Sequence, residues 1–189
     1  MPEIPYPLST ERLVLRRFSP EDLQAYYAYQ SLPETARFLF NEARSLAECM
    51  ERVGRFSRAE FSKQGDWASF VVERADQPGL IGEIALKWEE GGDAQHGFVG
   101  EIGWTLAPEG QGHGYATEAA RAVLALAFNT LGFRRIQARL DAANDGSRKI
   151  CERLGMSREA TLRDNWYLKG EWSSEAVYSI LLSEWQQPN

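Results

Sequence analysis

Gly100-Glu-Ile-Gly-Trp-Thr-Leu-Ala-Pro-Glu-Gly-Gln-Gly-His-Gly-Tyr-Ala-Thr-Glu-Ala-Ala120 is the stretch that decides the fold of this 189-residue chain. An apolar strand runs into a glycine-rich turn, and the turn opens directly into an alanine-rich helix. Such a turn leaves several backbone N–H groups free at the helix N-terminus, where a partial positive charge also gathers. That geometry binds phosphate groups. The stretch therefore predicts a turn that holds a diphosphate, with the reaction chemistry beside the strand before it.

The segments on either side carry strand and helix signals in turn. Apolar or alternating runs predict strands near residues 12–17, 67–73, 80–88, 98–106, 136–140, 156–162 and 172–182. Capping residues followed by amphipathic runs predict helices from Ser19, from Ser45, from Gly114 to Leu131 and from Asn144 to Leu154. Residues 1–10 carry three prolines and are expected to form an extended arm. The polar segment 89–97 is expected to be a loop, either a solvated hairpin tip or a mobile acidic lip over a pocket.

The strand–turn–helix–strand order around the opening stretch is a βαβ unit, so its two strands should be parallel. Hairpins before it add antiparallel strands. The predicted fold class is α/β (α+β): a mixed, mostly antiparallel twisted sheet of six to seven strands, with helices on both faces. The whole chain, residues 1–189, is expected to be one domain.

Composition narrows the classes of function. The net charge is −6, which fits weakly with a cationic substrate, and the absence of a basic stripe argues against nucleic-acid binding. Cys49 and Cys151 do not suggest a disulfide framework, and His96 and His113 lie too far apart in the sequence to suggest a metal site. No signal peptide or membrane-spanning run is evident, so the expected location is the cytoplasm, with no membrane partner.

Three glycine-rich phosphate motifs can be tested against the turn. The dinucleotide fingerprint needs Gly or Ala at its third position, where this chain has Tyr115 or Thr117, depending on the register. The nucleoside-triphosphate loop needs Gly-Lys-Ser/Thr after four spacers, and the sequence has no such run. The pattern Q/R-x-x-G-x-G/A does fit, as Gln111-Gly-His-Gly-Tyr-Ala116.

With this motif the chain resembles the GNAT superfamily of acetyl-CoA-dependent N-acetyltransferases. Its flanks are similar to those of the ribosomal-protein-alanine acetyltransferases, in Glu101-Ile-Gly-Trp104, Gly114-Tyr-Ala-Thr-Glu-Ala119, Leu131-Gly-Phe133, Asn144-x-x-Ser147, Leu154-Gly-Met156 and Tyr178…Glu184-Trp185. The resemblance extends over residues 8–185. It implies the GNAT fold, acetyl-CoA as cosubstrate, and acetyl transfer to an amine without a metal.

The turn is expected to bind the diphosphate of coenzyme A. Gly112, Gly114 and Ala116 keep the turn open, while backbone amides from Gly112 to Thr117 point at the phosphates. The resemblance further implies that the pantetheine arm lies like an extra strand between two parted strands, beside Trp104–Leu106. The N–H of Leu106 is expected to polarise the thioester carbonyl. The expected cofactor-binding residues are Trp104, Thr105, Leu106, Gln111, Gly112, His113, Gly114, Tyr115, Ala116, Thr117, Asn144 and Ser147.

Direct attack of a neutral amine on the thioester needs a base and a proton donor for the departing thiolate. The resemblance implies Ser147 as the donor and Asn144 as a pantetheine contact, although both residue types also cap helices. It implies a glutamate after the Leu-Gly-Met segment as the base, but Arg163-Asp-Asn-Trp-Tyr167 contains none. The candidate bases are therefore Glu101, because other GNAT enzymes use a glutamate on that strand, and Asp164.

Two further alternatives stay open for the chemistry. A water chain with no single base would also serve, since an α-amino group is partly neutral already. Cys151 is expected to pack rather than to act as a nucleophile, so no acetyl-enzyme is predicted. The missing glutamate near Trp166 also leaves room for a non-catalytic acyl-CoA-binding or sensing module of the same fold.

The sequence does not name the amine acceptor. It is either a protein N-terminal α-amine or a small molecule such as a polyamine, an amino acid or an aminoglycoside, and the enzyme is expected to be a monomer or a homodimer. Aromatic residues either line the acceptor pocket or belong to the core, namely Tyr26, Tyr27, Phe38, Phe40, Trp166 and Tyr167.

Overall fold

A computed structural model describes residues 3–185 as one sheet covered by helices. The strands are β1 (Leu8–Ser9), β2 (Leu13–Arg17), β3 (Trp67–Arg74), β4 (Leu80–Asp93), β5 (Gly97–Leu106), β6 (Phe133–Asp141), β7 (Ser157–Leu168) and β8 (Glu171–Leu181). The helices are α1 (Leu23–Gln30), α2 (Pro33–Ala36), α3 (Leu46–Arg58), α4 (Tyr115–Asn129) and α5 (Asp145–Arg153).

The strands lie in the order β1-β2-β3-β4-β5-β6-β8-β7. The β5–β6 pair, joined through α4, is parallel, and the neighbouring β4–β5 and β6–β8 pairs are antiparallel. The mixed, mostly antiparallel sheet with a central βαβ unit is therefore confirmed.

The number of strands differs from the prediction. The sheet has eight strands rather than six or seven, because Leu8–Ser9, inside the predicted arm, pairs with Val14–Leu15. Two residues are too few to leave an alternating pattern in the sequence. Met1 and Pro2 of that arm lie outside the described residues.

The helices cover both faces of the sheet, as predicted. Alternation along β3 sends Phe70 and Val72 into a cluster with α4 and α5, and Val71 into a second cluster with α1 and α3. Because successive strand residues point to opposite faces, one apolar run supplies both cores.

Local signals set several helix boundaries. The Ser45 hydroxyl accepts from the backbone N–H of Glu48, and the Glu48 carboxylate accepts in return from the N–H of Ser45, so α3 opens with the expected capping box. The helices before Gly132 and Gly155 both end where these glycines take positive φ values of 79° and 77°.

The segment 89–97 is mostly strand rather than loop. β4 continues to Asp93, and Gly92 and Asp93 pair with Phe98 and Gly97 beyond a register shift. Three residues, 94–96, make the turn. The hairpin tip is exposed, in agreement with the solvated-tip alternative. Among residues 3–185 no helix combines the length and apolar character that a membrane crossing needs.

Candidate active site

The two central strands, β5 and β6, part beside Trp104–Leu106, where the sequence predicted the reaction chemistry. β5 and β6 pair from Phe98–Phe133 to Glu101–Gln137, yet β5 continues to Leu106 and β6 to Asp141. Beyond Glu101 the facing edges of these strands therefore have no partner in each other. An open, V-shaped gap of this kind leaves unpaired backbone groups that an extended ligand can bond.

The backbone of β5 presents N–H groups to this gap. The N–H of Ala107 donates to Ile81 of β4 at 2.9 Å. Since successive residues of an antiparallel strand turn their N–H groups to opposite sides, those of Leu106 and Trp104 face β6. The side-chain amide of Gln111 donates to the Leu106 carbonyl at 3.0 Å, and this hydrogen bond holds the glycine turn, residues 111–117, to the end of β5.

A cavity of about 820 Å³ opens on this gap. Gly103, Trp104 and Thr105 line it from β5, and Ala138–Leu140 line it from β6. From the gap it extends beneath α3 and the segment before it, where Arg44, Arg52 and Arg55 form part of its wall. The size is that of a small-molecule site.

The glycine turn has the geometry of an anion site. Gly112 and Gly114 have φ values of 80° and 81°, which only glycine adopts easily. The backbone N–H groups from Gly112 to Thr117 find no acceptor within residues 3–185. The Thr117 hydroxyl is buried and also lacks a hydrogen-bond partner in that range. A β-carbon placed on Gly112 would meet nothing within 4 Å, so the turn is open to an incoming diphosphate.

The turn is tied to the N-terminal hairpin by an ion pair. The Glu118 carboxylate accepts from the Thr10 hydroxyl at 2.6 Å and from the Arg12 side chain at 2.7 Å. Arg12 also donates to the carbonyl of His113 at 3.2 Å. Burial alone would raise the pKa of Glu118, but these hydrogen bonds outweigh it and lower the pKa. Glu118 therefore has a structural role at the start of α4, through contacts that the sequence did not reveal.

Tyr115 and His113 cover the outside of the turn. Their rings stack with centroids 5.4 Å apart, and the Arg12 guanidinium lies 4.9 Å from the Tyr115 centroid. The His113 ring is exposed. Ala116, at the start of α4, is buried beneath the turn.

Ser147 and Asn144 lie across the gap from β5. Asn144 accepts the backbone N–H of Ser147 at 3.0 Å and caps α5. The Ser147 hydroxyl accepts from the indole N–H of Trp104 at 3.3 Å, which leaves its own proton free to be donated. Both residues line the cavity. The structure therefore brings together Trp104, Thr105, Asn144 and Ser147, and their binding of the cofactor stays a prediction.

Glu83 is an acidic residue of the cavity that the sequence interpretation missed. It lies on β4 directly opposite Thr105 and is 8% exposed. Its carboxylate accepts from the Tyr26 hydroxyl at 3.1 Å and from the Gln30 amide at 3.1 Å. Arg52 is 3.8 Å away. Burial raises the pKa of Glu83, and the nearby Arg52 only partly opposes that effect.

The two predicted bases lie in different surroundings. Glu101 is half-buried at the last paired position of β5, where Gln137 donates to it at 3.3 Å. Burial raises the pKa of Glu101, with Gln137 acting against it, but the residue is not among those lining the cavity. Asp164 is exposed on an irregular segment of β7, with φ at 49°, and does not line the cavity either.

Cys151 has the surroundings of a packing residue rather than those of a nucleophile. Cys151 is fully buried on α5, and burial raises the pKa of its thiol to about 12. Such a thiol carries almost no thiolate near neutral pH.

Residues 3–185 contain no group of three or more His, Cys, Asp or Glu side chains placed to hold a metal. Of the six aromatic candidates, Phe38 and Phe40 line the cavity, and Tyr26 is buried in the core.

Comparisons with known proteins agree with this geometry. A family model described as the acetyltransferase (GNAT) domain matches residues 12–157. The chain is 31% identical to YnaD, an uncharacterized N-acetyltransferase of Bacillus subtilis, over 94% of this chain and 98% of the relative. The crystal structure of a GNAT-family acetyltransferase from Bacillus anthracis matches with a TM-score of 0.81 and 27% identity, over 94% of this chain and 99% of that one.

A solved structure with lower sequence identity shows a similarity of fold alone. The structure of spermidine N-acetyltransferase from Vibrio cholerae, in complex with CoA and spermine, gives a TM-score of 0.76 at 24% identity, over 93% of this chain and 98% of that one. The family model and the similarity to YnaD confirm the family that the motif Gln111–Ala116 predicted.

Proposed function

This chain belongs to the GNAT acetyltransferase family and is an acetyl-CoA-dependent N-acetyltransferase, and from that premise we propose that it acetylates a primary amine by direct attack in a ternary complex. The observation that carries the proposal is the gap between β5 and β6, which joins the glycine turn to the cavity. An extended thioester bound in such a gap reaches an acceptor on the far side of the sheet. No covalent enzyme intermediate is needed, and Cys151 is too deeply buried to form one.

The glycine turn would hold the diphosphate. Unpartnered N–H groups from Gly112 to Thr117 and the orphaned Thr117 hydroxyl supply the donors. Their local dipoles favour an anion despite the net charge of −6, because short-range donors act more strongly than distant, screened charges. The backbone of Trp104–Leu106 would then pair with the pantetheine arm, and the Leu106 N–H would stabilise the oxyanion.

Two side chains carry the proton transfers in this proposal. Ser147, whose proton is not engaged within the described residues, relays a proton to the departing thiolate. Its oxygen regains a proton that the amine nitrogen of the tetrahedral intermediate loses, through water, so the hydroxyl is restored. Glu83 takes the proton from the amine, directly or through water. Its support over Glu101 and Asp164 is that it lines the cavity and stands opposite Thr105. A buried carboxylate with a raised pKa is a suitable base near neutral pH.

The test is to incubate the protein with acetyl-CoA and a broad panel of primary amines, including peptides with free N-termini. Thiol release and the acetylated product, identified by mass spectrometry, are both recorded. We expect turnover with at least one amine, and a loss of 10²-fold or more in kcat for Ser147→Ala. Tight CoA binding with no thiol release on any amine would instead support the non-catalytic sensing module.

A further inference from the structure

The wall of the cavity beneath α3 is basic, unlike the chain as a whole. Among the residues that line the cavity, five are Lys or Arg and three are Asp or Glu. The basic residues are Arg44, Arg52, Arg55, Lys63 and Arg139. The acidic ones are Glu60, Asp66 and Glu83.

Only some of these cations have carboxylate partners. Arg139 is held by both oxygens of Glu175, at 2.7 and 2.8 Å, and Arg52 has Glu83 at 3.8 Å. Asp66 accepts the backbone N–H groups of Ser62 and Lys63 at 2.9 Å, so its charge is engaged by the chain itself.

Among the lining cations that the structure describes, Arg44, Arg55 and Lys63 have no carboxylate partner, and the first two carry guanidinium groups. Arg44 is half-buried, and it donates to the neutral side chains of Gln30 and Asn41 at 3.2 and 2.9 Å. Arg55 lies one turn along α3 from Arg52, with its guanidinium 5.5 Å from the Phe56 ring. Within residues 3–185 neither of them has a carboxylate in salt-bridge range.

Three guanidinium groups on one cavity wall repel a polycation and attract an oxyanion. Guanidinium forks match the planar carboxylate and the phosphoryl group. The attraction is screened less at the half-buried Arg44 and Arg52 than at Arg55, which is exposed. The hydrogen bonds from Gln30 and Asn41 hold Arg44 in place before any ligand arrives. Preorganised donors of this kind bind tightly because little ordering remains to be done.

The basic wall and the proposed base are adjacent. Gln30 donates to Glu83 at 3.1 Å and accepts from Arg44 at 3.2 Å. One side chain therefore separates the carboxylate that would receive the amine proton from an unpaired guanidinium. Phe38 and Phe40 line the same cavity and offer an apolar surface for the rest of the molecule.

We propose that Arg44, Arg52 and Arg55 form an anion subsite for the acceptor, so that the enzyme acetylates amines that carry a carboxylate or phosphate group. This rests on the proposed function, and it narrows the acceptor to anionic amines rather than polyamines.

Matched acceptors test the subsite without changing the reacting amine. Glutamic acid α-amide and glutaminamide share an α-amino group and differ only in a side-chain carboxylate against an amide. Phosphoserine against serine places the anion at another position, and spermidine supplies a polycation. We expect kcat/KM to favour the anionic member of at least one pair by about tenfold or more, as for a hydrogen bond to a charged group, and to be lowest for spermidine.

Binding supplies a readout that does not depend on turnover. Each acceptor is titrated by calorimetry into the protein saturated with CoA. In Arg55→Gln the preference for the anionic member should fall by about tenfold, whereas Arg58→Gln removes a cation from the same helix outside the cavity lining and should keep it. Equal use and equal binding of both members of every pair would overturn the subsite while leaving acetyl transfer intact. Preferential binding lost in Arg55→Gln, with no acetylation of any amine, would support the subsite and overturn the proposed reaction.

Discussion

Glu83 on β4 stands directly opposite Thr105 on β5, at the level where β5 has already parted from β6. An acidic side chain buried in a sheet is costly unless its charge is matched. Here its hydrogen-bond donors are the neutral Tyr26 and Gln30, and the nearest guanidinium is 3.8 Å away. A buried carboxylate beside a cavity is a candidate for a functional role, and the proposed role of Glu83 as the base can be tested directly.

We expect Glu83→Gln to lower kcat/KM by about 10²- to 10⁴-fold, the usual contribution of a positioned general base. Steady-state kinetics on a responsive amine would measure it. Because burial raises the pKa of Glu83 above the ordinary 4.5, wild-type activity should fall as the pH drops through that raised pKa, and this limb should disappear in Glu83→Gln. Glu101→Gln is the matched control and should lose less than about tenfold. A larger loss in Glu101→Gln than in Glu83→Gln would return the base to Glu101.

The proposed role of the glycine turn in binding CoA can be tested separately. Gly114→Val should weaken CoA binding by at least about tenfold, equivalent to one hydrogen bond to a charged group. Valine rarely adopts the φ of 81° found at Gly114, so the backbone N–H groups of the turn would be displaced. Calorimetric titration of CoA measures this directly. Gly170→Val is the control, since Gly170 has φ at 82° against 81° for Gly114 but lies in the β7–β8 turn. Unchanged CoA affinity in folded Gly114→Val would contradict the assignment of the turn.

Features that depend on residues close together in the sequence could be predicted from it, whereas features that depend on distant residues could not. The turn Gln111–Ala116 depends on glycines within six residues, so its conformation could be read directly. The surroundings of Glu83 depend on Tyr26 and Gln30, which are 57 and 53 residues away in the chain. A glutamate inside the apolar run 80–88 was a signal of burial, but only the packing of α1 shows what it faces.

At Gly100, where β5 and β6 still pair, the sheet has no room for a side chain. A β-carbon on Gly100 would lie 2.7 Å from Phe133 and 2.9 Å from Ile136. Gly100→Ala should therefore destabilise the protein by about 1–3 kcal/mol, as overpacking does, measured by urea unfolding. On the same strand, a β-carbon on Gly103 would meet nothing within 4 Å. Gly103→Ala should change stability by less than about 0.5 kcal/mol, and equal losses in the two variants would argue against tight packing at Gly100.

The ion pair between Arg135 and Glu159 predicts how the stability of the fold changes at acidic pH. Arg135 on β6 donates to both oxygens of Glu159 on β7, at 2.7 and 2.5 Å, and Ser179 on β8 donates at 2.6 Å. The Arg135 hydrogen bonds, with that of Ser179, lower the pKa of Glu159 from 4.5 to about 2. Since the folded pKa is the lower one, this pair stabilises the fold above pH 4.5 and loses that contribution as the pH falls toward 2.

Glu159→Gln should therefore flatten the loss of stability between pH 4.5 and pH 2, measured by urea unfolding at a series of pH values. Because the Glu159 side chain is 43% exposed, solvent screening limits the effect at pH 7 to about 1 kcal/mol or less. Glu152→Gln, which removes an exposed helical pair with Arg148, controls for the loss of a negative charge. If the two variants followed the same pH dependence as the wild type, the three-strand contact at Glu159 would contribute nothing to acid resistance.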